Sequence, residues 1–397
     1  MAHKAPRQRR TARLLAAALL VFFGFAASLA ARLTLAEAMV ERDTVHAVRW
    51  ASLATNNTAS YQRWAELEPA RAQEALRSAL NANPRASAVW NELGLMAERS
   101  GNGGEAARDL DQAARVDRQY QPAWTLANYS FRRGDAAGFW PAAARAAALA
   151  YDDLRPLLEL CDRMEPDPGI ALARLGPSVR LERAYLDLLI GKNRLEAAQD
   201  VARLMLARPS PENTARLTDF TERLIAVGRG TAALEIWNGL GKFAMLDPAH
   251  GVVLTNGDFA TSPSGAGFDW RLTAPAGLLN HWNPSTLRFT FSGSGPEDCA
   301  LLEQWAPLAV HRYRLSVEFQ TAGMPAATGL RWAITPREGA GQEGPGLASA
   351  QTWQERRWSF APEQAGLARV RLVYRREPGT TRATGSIELR NVRLEVE

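Results

Sequence analysis

Apolar residues follow three successive patterns along the chain, and each predicts a different kind of element. Leu14 to Ala31 is a run of eighteen residues without a charge. A membrane-crossing helix needs roughly 17 to 25 apolar residues and a secretory leader about 7 to 15, so the run stands on the border of the two. From Leu35 to about Leu246 apolar positions recur at helical spacing, and Gly, Pro and Asn interrupt them at the intervals of helical hairpins. After Asp247 to Gly251 the period becomes two: Leu287, Phe289 and Phe291 alternate with Arg288 and Thr290, and Tyr313, Leu315, Val317 and Phe319 alternate with Arg314, Ser316 and Glu318. The same alternation runs through Leu330, Trp332 and Ile334, through Trp358 and Phe360, through Val370, Leu372 and Tyr374, and through Ile387 and Leu389, shifting before Val392, Leu394 and Val396. Eight or nine short strands are expected, with a loop at 339–346. The fold class is therefore a multidomain α plus β protein, an all-α superhelix followed by an antiparallel β-sandwich or jelly roll.

The helical part repeats. Trp90 and Trp124 are 34 residues apart and open similar stretches. With Trp90 early in a first helix, Leu93, Gly94, Ala106, Leu110 and Ala113 fall where two crossing helices need apolar or small residues. The next frame keeps Trp124, Phe131 and Ala147 but has Ala127, Asn128 and Trp140 at three other positions, and the preceding frame keeps Ala72, Leu76, Ala79 and Pro84. This segment, residues 53–153, resembles the tetratricopeptide repeat family. Further hairpins are expected over 154–246, one across 179–206 turning at 191–193 and one across 212–240 turning at 228–230. The resemblance implies stacked hairpins whose groove holds segments of protein partners. Trp90 and Trp124 themselves read as interhelical packing.

In the β region, Leu254-Thr255-Asn256-Gly257-Asp258-Phe259, then Gly267 to Arg271, and the closing stretch Gly385 to Val396 resemble carbohydrate-binding-module-like, galactose-binding-like jelly rolls over 252–397. That resemblance implies that the Asn-Gly-Asp-Phe motif is chiefly architectural. It also implies a structural calcium site near the two ends, for which Asp258 with Glu388 or Glu395 are the acids to consider; a turn-capping Asp258 explains the motif equally well. A sugar ring stacks its C–H face on a flat aromatic surface. Trp282 and Trp353 sit in loop-like stretches and are the surface candidates, whereas Trp332 and Trp358 are in register with core positions and Trp270 reads as packed. Arg314, Arg369, Arg371 and Arg375 share the solvent face of their strands. If paired strands align them, they form a cationic stripe suited to carboxylate-bearing polysaccharide or lipid headgroups; a solvated, acid-paired face is the alternative.

Charge sharpens the topology. The chain has 47 Lys plus Arg against 42 Asp plus Glu, and a pI near 9.5 would ordinarily raise nucleic acid as a partner. Residues 1–13 carry five cations and no acid, 32–250 carry 27 cations against 28 anions, and 251–397 carry 15 against 14. The excess lies wholly ahead of the apolar run, so nucleic acid is disfavoured. By the positive-inside rule the expectation is a single-pass inner-membrane protein: a basic cytoplasmic tail at 1–13, a signal-anchor at 14–31, a juxtamembrane helix at 32–52, and residues 32–397 outside the cytoplasm. Secretion after cleavage near Ala30 is the alternative.

Catalysis is not expected. No Walker loop, HExxH, CxxC pair, GxSxG elbow or convincing dinucleotide fingerprint occurs. His46, His250, His281 and His311 stand apart, the glycines at 101–104 and 228–230 belong to hairpin turns, and the acid pairs Asp109 with Asp111 and Asp152 with Asp153 lie on helix surfaces or side by side. Cys161 and Cys299 fall in different domains without metal spacing, and no cofactor beyond the calcium candidate is implied. The expected function is a membrane-anchored envelope scaffold, with protein partners on the helices and polysaccharide on the sandwich. The combination resembles bacterial repeat proteins tied to export or assembly of exopolysaccharide or other surface polymers. A purely protein-binding adaptor is the alternative, and a glycan-active enzyme the third reading.

Overall fold

The computed structural model describes residues 5–42, 44–176, 178–273 and 275–397, so Lys4 of the basic tail lies outside the described residues, as do the side chains of residues 5–14. Fourteen α-helices precede two antiparallel five-stranded sheets among these residues. The chain divides into two compact units, Met1–Pro177 and Ser178–Glu397.

The first unit opens with α1 (Ala5–Glu41). Its stretch Leu15–Glu41 is long and apolar enough to cross a membrane or act as a signal anchor, and no residue of its most apolar window is buried. Next comes α2 (Val45–Thr55), capped by the Thr44 hydroxyl, and then helical hairpins follow: α3 (Thr58–Leu67) with α4 (Ala72–Ala82), α5 (Ser87–Arg99) with α6 (Gly103–Val116), and α7 (Tyr120–Arg132) with α8 (Ala136–Leu149), after which α9 (Arg155–Met164) and α10 (Pro168–Leu175) each pack on α8. Small residues set how closely a pair can cross. A Cβ on Gly94 would stand 2.6 Å from the Leu110 side chain, and Leu110, Ala106 and Ala113 have no exposed surface. Trp90 is packed, as its position predicts: it lies against the buried cluster of the first hairpins, and its Nε1–H donates to the Pro84 carbonyl at 2.9 Å. Trp124 stacks on Tyr120.

The second unit begins with two more hairpins, α11 (Val179–Gly191) with α12 (Leu195–Leu206) and α13 (Pro211–Ala226) with α14 (Gly230–Gly239). Four hairpins of the chain turn in the same way. The left-handed residue is Gly101, Gly134, Asn193 or Gly228, and the next N–H reaches back to Ala97, Ser130, Leu189 or Leu224 at 2.9–3.0 Å. Within the expected 191–193 turn the positive φ falls on Asn193 and not on Gly191, because asparagine tolerates that conformation while Gly191 still belongs to the helix.

The sandwich follows. One sheet has the order β1-β4-β9-β6-β7, from β1 (Arg271–Leu272), β4 (Asp298–Leu308), β9 (Gly366–Arg375), β6 (Leu330–Pro336) and β7 (Gln342–Glu343). The other has the order β2-β3-β10-β5-β8, from β2 (Leu278–Asn283), β3 (Thr286–Ser292), β10 (Thr384–Val396), β5 (Tyr313–Ala322) and β8 (Gln354–Phe360). The alternating residues of the sequence form one core between them, with Phe289, Tyr313, Val370 and Ile387 wholly buried and Trp332 nearly so. The expected shift before Val392 is a bulge in β10, where the register with β5 changes between Arg390 and Arg393 and Asn391 takes φ +51°.

The Asn256–Phe259 turn locks the sandwich. Phe259 and Trp270 are fully buried, the Trp270 indole donates to the Asn256 carbonyl at 3.0 Å, and the Val392 amide donates to the Gly257 carbonyl at 2.7 Å. Buried Asp269 accepts from Ser264 N–H at 2.7 Å and from the Asn256 amide at 3.2 Å. The sandwich also grips the preceding hairpin. The Glu222 carboxylate of α13 accepts from the Gly267 N–H and the Arg271 guanidinium, and Arg337 donates to the Ile225 and Ala226 carbonyls at 2.8 Å, closing the C-terminal end of that helix.

Gly257 tests the lock. A Cβ there would lie 2.0 Å from the Val392 carbonyl oxygen, whereas one on helical Gly104 meets nothing within 4 Å. Gly257→Ala is expected to destabilise the sandwich by about 2–4 kcal/mol, the scale of backbone displacement at a packed site. Gly104→Ala is expected to be neutral or stabilising by about 0.5–1 kcal/mol. Thermal unfolding followed by tryptophan emission distinguishes the two.

Candidate functional site

The outer face of the first sheet collects the side chains best suited to a ligand. Cross-strand register sets Trp305 of β4 opposite Arg369 of β9, and Glu303 opposite Arg371. Trp305 is half-buried, with the Arg369 guanidinium 4.7 Å from its ring centroid. Glu303 lies between two cations, 3.8 Å from Arg369 and 3.5 Å from Arg371. Across the sheet, Arg331 of β6 pairs with Glu377 at 2.6 Å and Glu343 at 3.6 Å, and Arg375 pairs with Asp298 at 3.2 Å and Glu343 at 3.3 Å. The surface is therefore an aromatic ring set among guanidinium forks and carboxylates of opposite sign, not a cationic stripe.

Arg314 stands elsewhere. It is on β5 of the other sheet, so the four arginines do not form one row, and its partner is Glu397 at 2.8 Å. Glu397 also takes Arg312 at 2.6 Å and the Ser359 hydroxyl at 2.6 Å, and these donors hold its carboxyl below the usual range. Glu318 is held down in the same way by the Asn391 amide and the Arg390 guanidinium, both at 2.8 Å. Each exposed pair contributes only about 0–1 kcal/mol, so what the network chiefly sets is the polarity of the face.

The tryptophan candidates separate. Trp282 lies in β2 and not in a loop; its strand alternates, and the ring packs inward on the core with its Nε1–H given to the Phe259 carbonyl at 2.9 Å. Trp353 precedes β8, is partly exposed, and carries the Arg390 guanidinium 4.1 Å from its ring centroid. Trp332 is core, and Trp358 is half-buried against it. Trp305 was not singled out in the sequence because β4 hides its alternation. The register slips between Ala300 and Leu302, and the neighbouring Leu301, Leu302, Ala306, Pro307 and Leu308 are all buried, so outward and inward positions look alike.

The calcium acids do not converge. The Asp258 carboxylate caps its own turn, accepting from the Ala260 N–H at 3.2 Å. Glu388 lies mid-sheet between Arg288 at 3.1 Å and the Gln320 amide at 2.9 Å, while Glu395 is exposed opposite Arg314. Among the described residues no group of three or more His, Cys, Asp or Glu is placed to hold a metal. A cleft bordered by Ile334, Pro336, Gln342 and Phe360 measures 30 Å³, room for a couple of waters and not for a sugar ring.

No protein-family model matches this chain, and no curated protein matches it. Among solved structures it is similar to a CBM4 module (13% identity, TM-score 0.29, 36% of this chain and 99% of that one) and to a CBM61 in complex with β-1,4-galactotriose (14%, 0.26, 36% and 96%). It is also similar to PilW, a widely conserved type IV pilus biogenesis factor (16%, 0.29, 48% and 99%). Identities and scores this low carry no argument about ligand or partner.

The depressed carboxyls of Glu318 and Glu397 set a pH dependence. Their contribution is complete above the unfolded value of about 4.3 and is lost as pH falls through the lower folded values. The melting temperature of the sandwich is expected to hold from pH 7 to pH 5 and to drop below about pH 4. In Glu318→Gln the drop is smaller, as differential scanning calorimetry across that range will show.

Proposed function

We propose that the protein is a membrane-anchored, non-catalytic envelope scaffold, whose helical hairpins hold protein partners and whose sandwich binds polysaccharide during assembly or export of a surface polymer. Five cations ahead of the span, with none of the excess charge beyond it, support a cytoplasmic N-terminus and hairpins and sandwich on the far side of the inner membrane. A tetratricopeptide-like reading of the hairpins is supported by the Gly94–Leu110 crossing and by bridges between neighbouring hairpins, Arg132 to Glu98 at 2.6 Å and Arg203 to Glu235 at 2.5 Å.

One observation carries the sugar-binding part: Trp305, Arg369, Arg371 and Glu303, each half-buried, share one sheet face. The ring would offer its stacking surface to a sugar once the Arg369 guanidinium over it swings aside, and the guanidinium and carboxylate groups offer donors and acceptors for hydroxyls. Because every cation there is acid-paired, the face suits a neutral glycan better than the polyanion that an unpaired arginine row would attract. The same pairing favours the second reading, a protein-binding adaptor whose sandwich takes no sugar. The acids of this face are engaged with arginines, and none stands opposite another across a cleft, which supports the non-catalytic reading over glycoside hydrolysis.

Binding of the full chain in detergent to a glycan array of neutral and acidic polysaccharides tests the proposal. Trp305→Ala is expected to weaken binding roughly tenfold, the loss of one stacked ring worth about 1.4 kcal/mol, with Trp282→Ala changing stability instead. No binding to any polysaccharide leaves the adaptor.

A further inference from the structure

The helix after the membrane segment presents an apolar stripe to solvent. On α2, Val48, Ala51 and Ser52 are buried, while His46, Trp50 and Leu53 point away from the packed side, with Trp50 45% and Leu53 64% exposed. These three stand at i, i+4 and i+7 and so share one face. Among the described residues of the first unit they are left largely open to solvent. An indole and a leucine left in water on a helix otherwise well packed call for a partner.

The position of α2 says which. It packs back on α1, which ends at Glu41 just before α2 begins at Val45, and Ala36 and Ala51 are both buried between the two. In an antiparallel pair the two helices advance equally, so Leu53 stands level with Thr34 and Trp50 with Glu37. Arg32 is the first charge after the apolar run. At 1.5 Å per residue, Leu53 lies about 3 Å and Trp50 about 8 Å beyond the level of Arg32. Each headgroup layer is about 5–8 Å thick, the difference between the hydrocarbon core and the whole bilayer. Leu53 thus falls within that layer, Trp50 at its outer boundary and His46 beyond it. The polarity of the stripe rises in the same order, as it does for side chains that sit at a lipid–water boundary.

We infer that α2 reaches the interface end-on, its Leu53 and Trp50 side chains seated in the headgroup layer of the membrane that α1 crosses, holding the first hairpins close to the lipid surface. This rests on the anchor reading of α1. It gives the protein a second, reversible contact with the bilayer and fixes the angle at which the hairpins leave it.

The test uses the full chain in phosphatidylcholine nanodiscs, in a Cys299→Ser background; Cys161 is buried, its thiol pushed up to about 12 by desolvation, and reacts little. An environment-sensitive fluorophore is placed at Leu53→Cys, at Phe22→Cys within the span and at exposed Ala88→Cys as the water control. Nitroxides are carried on the lipid headgroup or deep on the acyl chain. The expected result is headgroup quenching at position 53 at least twice that at 88, with a blue-shifted emission, and acyl-chain quenching at 22. If position 22 is quenched and 53 behaves like 88, the interfacial contact is overturned and the anchor stands. If neither 22 nor 53 is quenched, the anchor fails and the inference with it.

Discussion

The Asn256–Phe259 turn is where the sandwich is held closed. Three of its residues tie the sheets together: the Trp270 indole, beside β1, donates to Asn256, the Trp282 indole of β2 donates to Phe259, and the Val392 amide of β10 donates to Gly257. Asn256 and Phe259 both take positive φ, near +50°, which asparagine accepts readily and phenylalanine does not. The strained Phe259 is held because its ring is fully buried in the core and its carbonyl is bonded. The close approach of β10 requires a glycine at 257. Register, core packing and chain closure are thereby set by one turn.

The same segment extends to the helices of the second unit. Gly267, at φ +57°, lies where a Cβ would meet the Trp237 ring, and its amide is bonded by Glu222. Arg271 bridges Glu222 to the Gly267 carbonyl at 2.9 Å, and Arg337 takes two carbonyls that α13 leaves open at its end. These contacts are polar and specific, and Leu367 against Gly230 and Trp237 against Phe268 add the apolar part. The last hairpin and the sandwich therefore behave as one body. The compact unit that begins at Ser178 contains these hairpins together with the sandwich, and the change of sequence period near residue 251 falls inside it.

Charge on the sandwich follows from pairing between strands. Arg369, Arg371 and Arg375 do share one face of β9, as their alternation requires, but the face is completed by Glu303, Asp298 and Glu343 from β4 and β7. A row of arginines on one strand reads as a polyanion site; the same row between acidic neighbours is a neutral, hydrogen-bonding surface. The difference decides what class of polymer the face suits.

Much of the architecture was legible along the chain. The uncharged run, the helical spacing with its small residues at 94, 106 and 113, the turns at 101 and 228, and the alternation of β3, β5, β6, β9 and β10 each follow from local rules, because helix and strand periods are imposed by backbone geometry one residue at a time. What local rules hide is whatever depends on a partner strand. The β4 bulge conceals Trp305, the alternation of β2 turns Trp282 onto the core, and Arg314 lies in the opposite sheet from the arginines of β9. Sequence determined the elements; only the tertiary structure decided which side chains share a face, since neighbours across a sheet come from segments as far apart as Glu303 and Arg371.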